Sequence, residues 1–255
     1  MAGVRVRAPN HAIMSLIRRL ALSAAGFVLA GSTAPAAISK AQAATERPVL
    51  IELFTSQGCN SCPPADALLG ELAQRPGVLA LAFHVDYWNG LGWSDPFSST
   101  LATARQNDYA QRLGKRSIYT PQLVVDGAQD AVGSDRADVT ALIDAAQRRA
   151  ATGPTIETAT DETGGRVVRL SGGPAERATV WLAGYDRAHV TPVGRGENGG
   201  RTLTEYQIVR SLVRLGDWTG AAAQYALPDV AAEGAILFVQ PDQPGPMLAA
   251  RDVTG

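Results

Sequence analysis

The chain has 255 residues, with 23 Lys and Arg against 24 Asp and Glu, three His and two Cys; 45% of its residues are hydrophobic and 18% charged. That near-neutral balance, without a basic run or Lys/Arg interleaved with aromatic residues, leaves nothing for a phosphate backbone to bind and excludes nucleic acid as a partner. The apolar content fits a cored globular protein of one large or two small domains, not a disordered chain.

The N-terminus reads as a signal peptide. Arg18 and Arg19 precede an uncharged stretch over residues 20–37, and Ala41-Gln42-Ala43 supplies the small-residue site that a signal peptidase cleaves. The apolar centre, residues 20–31, falls short of the ~20 residues of a spanning helix. We therefore expect residues 1–43 to be removed and the mature protein, which has no membrane span, to be periplasmic or secreted. Met14 competes with Met1 as the start, because Met14-Ser-Leu-Ile-Arg-Arg19 is a more usual opening for such a peptide. Cleavage removes five of the 23 basic residues and no acid, so the net charge moves from −1 to about −6.

Residues 49–54 (V-L-I-E-L-F), bounded by Pro48 and by Thr-Ser-Gln-Gly, read as a buried strand. Cys59 and Cys62 follow. Pro63 and Pro64 fit only a helix's first turn, so they mark a helix start at the Cys pair, and residues 65–75 carry it with Leu68, Leu69 and Leu72 on one face. Residues 78–85 form a second strand, and the short crossover makes a parallel βαβ unit. An aromatic and Gly-rich loop over residues 86–96 leads to a helix over residues 98–114. Pro121 precedes a strand over residues 122–126, a hairpin punctuated by Gly127 and Gly133, and an amphipathic helix over residues 135–151.

Thr152-Gly153-Pro154 breaks that helix, and the texture then changes to alternating runs at residues 155–160, 167–171, 179–184, 204–212, 224–227 and 235–240, separated by turn residues. The pattern predicts a small β-sandwich. The expected division is a signal peptide (1–43), an α/β domain with the C-x-x-C pair (44–152) and a β-rich C-terminal domain (153–255).

A C-x-x-C pair serves dithiol exchange, half of a zinc site or a structural disulfide. Zinc needs two more ligands, and beyond residue 43 the chain offers only His84 and His189 and no further Cys. Copper transfer finds a single thioether there, Met247. No metal or cofactor is therefore expected. Cys59, at a helix N-terminus, feels the partial positive charge of unpaired N–H groups, which favours the thiolate, so it is the candidate nucleophile. Cys62 is the candidate resolving thiol. His84 and Asp86, at the end of the second parallel strand, are candidates for proton transfer. The Asn60-Ser61 dipeptide between the cysteines leaves the redox direction open.

A βαβ unit with C-x-x-C at its first strand-to-helix junction and a proline before a β-hairpin resembles the thioredoxin fold. More closely, Phe54-Thr-Ser-Gln-Gly-Cys-Asn-Ser-Cys-Pro-Pro-Ala-Asp66, His84-Val-Asp-Tyr-Trp-Asn89, Gly92-Trp-Ser-Asp-Pro96 and Tyr119-Thr-Pro-Gln-Leu-Val-Val-Asp-Gly127 resemble a bacterial secreted family called domain of unknown function 1223, whose members are thioredoxin-like. Gly196-Glu-Asn-Gly-Gly-Arg-Thr-Leu203 and Val209-Arg-Ser-Leu212 resemble its C-terminal portion. A His expected near Glu205 is missing here, leaving any role it had to Glu205. The resemblance implies a cis bond at Thr120–Pro121 facing the cysteines, with Tyr119 as a wall of the same groove. It also implies a buried acid on the first strand, a part for which Glu52 is the substitute candidate.

The expected function is that of a thiol-disulfide oxidoreductase acting on protein or peptide thiols together with a redox partner. The alternative is a non-catalytic binding protein in which Cys59 and Cys62 form a fixed structural disulfide.

Overall fold

The computed structural model describes residues 47–149 and 151–255; the expected signal peptide lies outside them. β1 (Val49–Thr55) is buried at every position, as an apolar run between two covered faces should be. Pro63 and Pro64 occupy the opening of α1 (Pro63–Leu72), where their missing N–H groups have no intrahelical role. β2 (Val78–His84) runs parallel to β1, with Thr55 opposite His84. α2 (Thr100–Arg112) is capped by the Ser99 hydroxyl, which accepts from the Ala102 N–H. β3 (Gln122–Val125) and β4 (Gln129–Val132) form the expected hairpin, β3 lying antiparallel to β1, and α3 (Arg136–Gln147) begins at the Asp135 cap.

The remaining elements are strands: β5 (Thr155–Thr160), β6 (Arg166–Ser171), β7 (Ala178–Pro192), β8 (Thr202–Trp218), β9 (Ala223–Ala226), β10 (Gly234–Pro241) and β11 (Ala249–Asp252). The fold is mixed α/β, a large central sheet with few helices. Its eight strands run in the order β11-β10-β7-β8-β2-β1-β3-β4. The sheet thus crosses the boundary expected near residue 153: β8 joins β2 in parallel through the single pair Ala82–Ile208. A second sheet, β5-β6-β9, shares a core with β7, β10 and β11 built around Trp218, Leu182, Leu237 and Leu170. Among the described residues no helix is long and apolar enough to cross a membrane.

Two layers cover the central sheet. Val49, Ile51 and Leu53 point to α1 and α3, meeting Leu68, Leu69, Val139 and Ile143, while Leu50 and Phe54 point to α2 and meet Phe83 and Tyr109. Strand alternation therefore sends Glu52 to the α2 side. There Arg105 Nε donates to Glu52 Oε1 at 2.5 Å, and the Tyr109 hydroxyl donates to Glu52 Oε2. Glu52 is a buried ion-pair partner on the face away from α1, not the acid beneath the cysteines.

Gly70 shows how closely the two halves meet. A Cβ built there lies 2.6–2.9 Å from ring atoms of Tyr206 on β8. Alanine favours a helix interior by about 1 kcal/mol over glycine. Gly70→Ala is nonetheless expected to lower stability in urea unfolding by about 1–3 kcal/mol, because the overpacked ring has to move.

Candidate functional site

β1 ends at Thr55, and the chain turns through Ser56, Gln57 and Gly58 into a Cys59–Cys62 disulfide with Cα atoms 5.5 Å apart. Cys62 caps α1: its carbonyl accepts from the Ala65 and Asp66 N–H groups, and its own N–H donates to the Cys59 carbonyl. Asn60 and Ser61 stand exposed, yet both cysteines are 0% exposed. The Ser61 hydroxyl lies 3.3 Å from Cys59 Sγ.

The Thr120–Pro121 peptide bond is cis. The pairing of Phe54 with Gln122 sets Pro121 beside Thr55, and Gly133 has Leu53, Ala65 and Pro121 around it, at the start of α1. Trp88 closes this side: its Nε1 donates to Thr120 Oγ1 at 2.9 Å, and its Cβ lies against Gly58. The Tyr119 hydroxyl donates to Asp130 at 2.8 Å, and burial raises its pKa, so it holds its proton.

Beneath the turn lies a buried set of titratable groups. His84 shares the α1 face with Ala80 and Ala82, and its Nδ1 lies 2.7 Å from Asp95 Oδ2, which also accepts from the Gln57 N–H at 2.9 Å. Burial opposes charge on both. The mutual attraction is stronger, raising the His84 pKa and holding the Asp95 carboxyl below its ordinary value. Asp66 sits one turn after Cys62 on the same helix face, 6% exposed, and burial pushes its pKa up to about 7 despite the opposing pull of His84. Glu205 of β8, 1% exposed, has its pKa raised by burial, with His84 partly offsetting this. His84 Nε2, Thr55 Oγ1, Gln57 Nε2 and both Glu205 oxygens are buried without a hydrogen-bond partner among the described residues. Bridging water is the ordinary solution for such a cluster.

The structure thus gathers Cys59, Cys62, His84, Thr120 and Pro121, with Tyr119 at the margin. Glu52 and Asp86 stay apart; the Asp86 carboxylate accepts from the Thr103 hydroxyl at 2.5 Å and ties the strand end to α2. Sequence reading missed Asp66 and Asp95. Asp66 carried a signal, an acid four residues after Cys62 within the apolar stripe of α1; Asp95, in a loop, carried none. No set of three or more His, Cys, Asp or Glu among the described residues could hold a metal ion.

The turn is roofed by the loop between β7 and β8. Asn198, 0% exposed, donates through Nδ2 to the carbonyls of Gln57 and Cys59, both at 2.9 Å, and Glu197 Oε2 accepts from the Asn60 N–H at 3.1 Å. Trp93 supports the loop from beneath, lying against Gly196 and donating from Nε1 to Gln57 Oε1.

A family model described as "Protein of unknown function (DUF1223)" matches residues 50–240. No curated protein matches the chain. Among solved structures, the crystal structure of an Agrobacterium tumefaciens protein, a structural genomics target, is similar with a TM-score of 0.69 and 28% identity, covering 81% of this chain and 94% of its own.

Proposed function

Because the chain belongs to the DUF1223 family, whose description names no activity, we propose from its own residues that it is a thiol-disulfide oxidoreductase acting on protein or peptide thiols outside the cytoplasm. What carries the reading is the disulfide at the N-terminus of α1, set above buried His84, Asp66 and Glu205. A covalent staple has no use for proton-handling groups. The strand order β2-β1-β3-β4, with β1 and β2 parallel, supports a thioredoxin-like reading of residues 44–152. Residues 153–255 are read as β-sandwich-like, one layer being the far end of the central sheet. Export rests on the signal peptide expected over residues 1–43.

In this reading a client thiolate attacks Cys59 Sγ, the Cys59–Cys62 bond breaks, and Cys62 leaves as a thiolate that takes a proton from the buried acid, Asp66. A second client thiolate then attacks the client sulfur of the mixed disulfide and releases Cys59 as a thiolate. The client is oxidised and the protein reduced; the reverse sequence starts from the Cys59 thiolate and returns the Cys62 proton to Asp66. Asp95 orients His84, whose positive charge favours the Cys62 thiolate as it forms.

The full burial of both cysteines favours a second reading, a binding protein with a closed structural disulfide. Equilibration in glutathione buffers separates the two. Exchange predicts a midpoint of roughly −180 to −270 mV, within the span of known dithiol oxidoreductases. A pair that stays closed below about −300 mV overturns the enzyme reading.

A further inference from the structure

The cysteines are the most deeply covered part of a turn whose other two residues are exposed, and the cover is specific. Asn198 fills both carbonyls that the Gln57–Cys59 turn presents outward, and Glu197 takes the free N–H of Asn60. Arg201 holds Asn198 in place, donating from Nη1 to its Oδ1 at 2.7 Å. The rest of the loop is rich in glycine and narrow at its neck. Residues 194–200 include four glycines; Gly196 and Gly200 have φ of 77° and 81°, and the neck is closed by Val193 N–H to Arg201 O and Gly200 N–H to Val193 O. Apart from Asn198, residues 194–200 are exposed.

Thiol-disulfide exchange needs an unobstructed approach to the attacked sulfur. A cysteine with no exposed surface offers none until its cover moves, and Asn198, bonded to the carbonyl of Cys59 itself, is the buried contact of the roofing loop with this turn. The groups that Asn198 and Glu197 satisfy are backbone carbonyls and a backbone N–H. An extended polypeptide brings N–H donors and C=O acceptors of its own and can take over these bonds as the loop withdraws. A small thiol without peptide groups brings no such replacements, so the hydrogen bonds broken on opening are exchanged only for bonds to water.

We infer that the loop over residues 194–200 is a lid on the Cys59–Cys62 disulfide, and that Glu197 and Asn198 determine specificity by admitting polypeptide thiols in preference to small ones. This rests on the exchange reading above, and its test is kinetic where the test of that reading is an equilibrium.

The rate of reduction is measured with dithiothreitol and with a synthetic dithiol peptide of extended conformation, for the wild type, Asn198→Ala and Glu197→Gln, each checked by thermal melting. Asn198→Ala is expected to raise the dithiothreitol rate about tenfold, the loss of roughly one net hydrogen bond from the closed state, while changing the peptide rate much less. Glu197→Gln, on the surface and with no burden on folding, is expected to raise the dithiothreitol rate about two- to threefold. Unchanged dithiothreitol rates in both variants, or equal acceleration with both thiols, overturn the inference. A midpoint below −300 mV together with the expected rate pattern keeps the lid and removes the enzyme.

Discussion

Cys62→Ala is expected to turn the protein into a trap. With the resolving sulfur gone, Cys59 forms a mixed disulfide with an unfolded polypeptide that carries a single thiol, in the presence of a small-molecule oxidant, and neither an internal thiol nor a second client thiol is there to release it. Adducts that dissolve on reduction then accumulate on non-reducing gels, and turnover is lost completely. Cys59→Ser is expected to form none, because Cys62, the N-cap of α1, has the resolving role and not the attacking one. The fold survives both changes: a disulfide closing so short a ring contributes only about 2 kcal/mol on the chain-entropy estimate. Adducts through Cys62 in the Cys59→Ser protein would reverse the assignment of roles, and none in either variant would leave the binding-protein reading standing.

Asp66→Asn is expected to have the second large effect, in opposite directions on stability and on chemistry. Burial pushes the Asp66 pKa up to about 7, whereas in the unfolded chain it is about 3.9. Between these values the folded protein holds a proton that the unfolded chain has released, so this group lowers stability as pH rises. The fall begins near pH 4 and is complete above about 7, at about 1.4 kcal/mol per pH unit, or roughly 4 kcal/mol in all. His84, whose pKa is raised in the folded state, adds stability that is fully present below its unfolded value and is lost as pH rises through the folded one. Asn at position 66 cannot ionise. Urea unfolding at pH 8 should therefore show a gain of roughly 2–4 kcal/mol, with a flatter pH profile between pH 4 and 7. The exchange rate at pH 7 should fall about 100-fold, the usual worth of a positioned proton-transfer group. Equal pH profiles for wild type and variant would remove Asp66 from the mechanism.

Much of this was written locally in the chain. The prolines after Cys62 fix where α1 begins, and the apolar runs around Ile51 and Leu81 fix the paired parallel strands. What failed had physical causes. β7 and β8 are far longer than their alternation suggests, since register shifts after Val180 and Gly184 insert extra residues and break the period of two. β11 (A-A-R-D) carries no β-branched or aromatic residue, and only its pairing with β10 makes it a strand. A lone acid in an apolar strand, such as Glu52, announces burial but not the face it turns to, and here that face is the α2 side. Asn198 could not be found at all: its partners lie some 140 positions earlier in the chain.

The single pair Ala82–Ile208 that carries the sheet from β2 to β8 has a consequence for anyone dissecting the molecule. A polypeptide ending near residue 153 keeps the C-x-x-C pair but turns β2 into an outer strand. Its sequence V-L-A-L-A-F-H has no charge, proline or bulge to discourage a second chain from adding to it. Such a fragment is expected to self-associate through that flank and to lack Glu205 and its roof as well. The halves are distinct in texture but share one sheet, so the sulfur chemistry has to be measured on the whole chain.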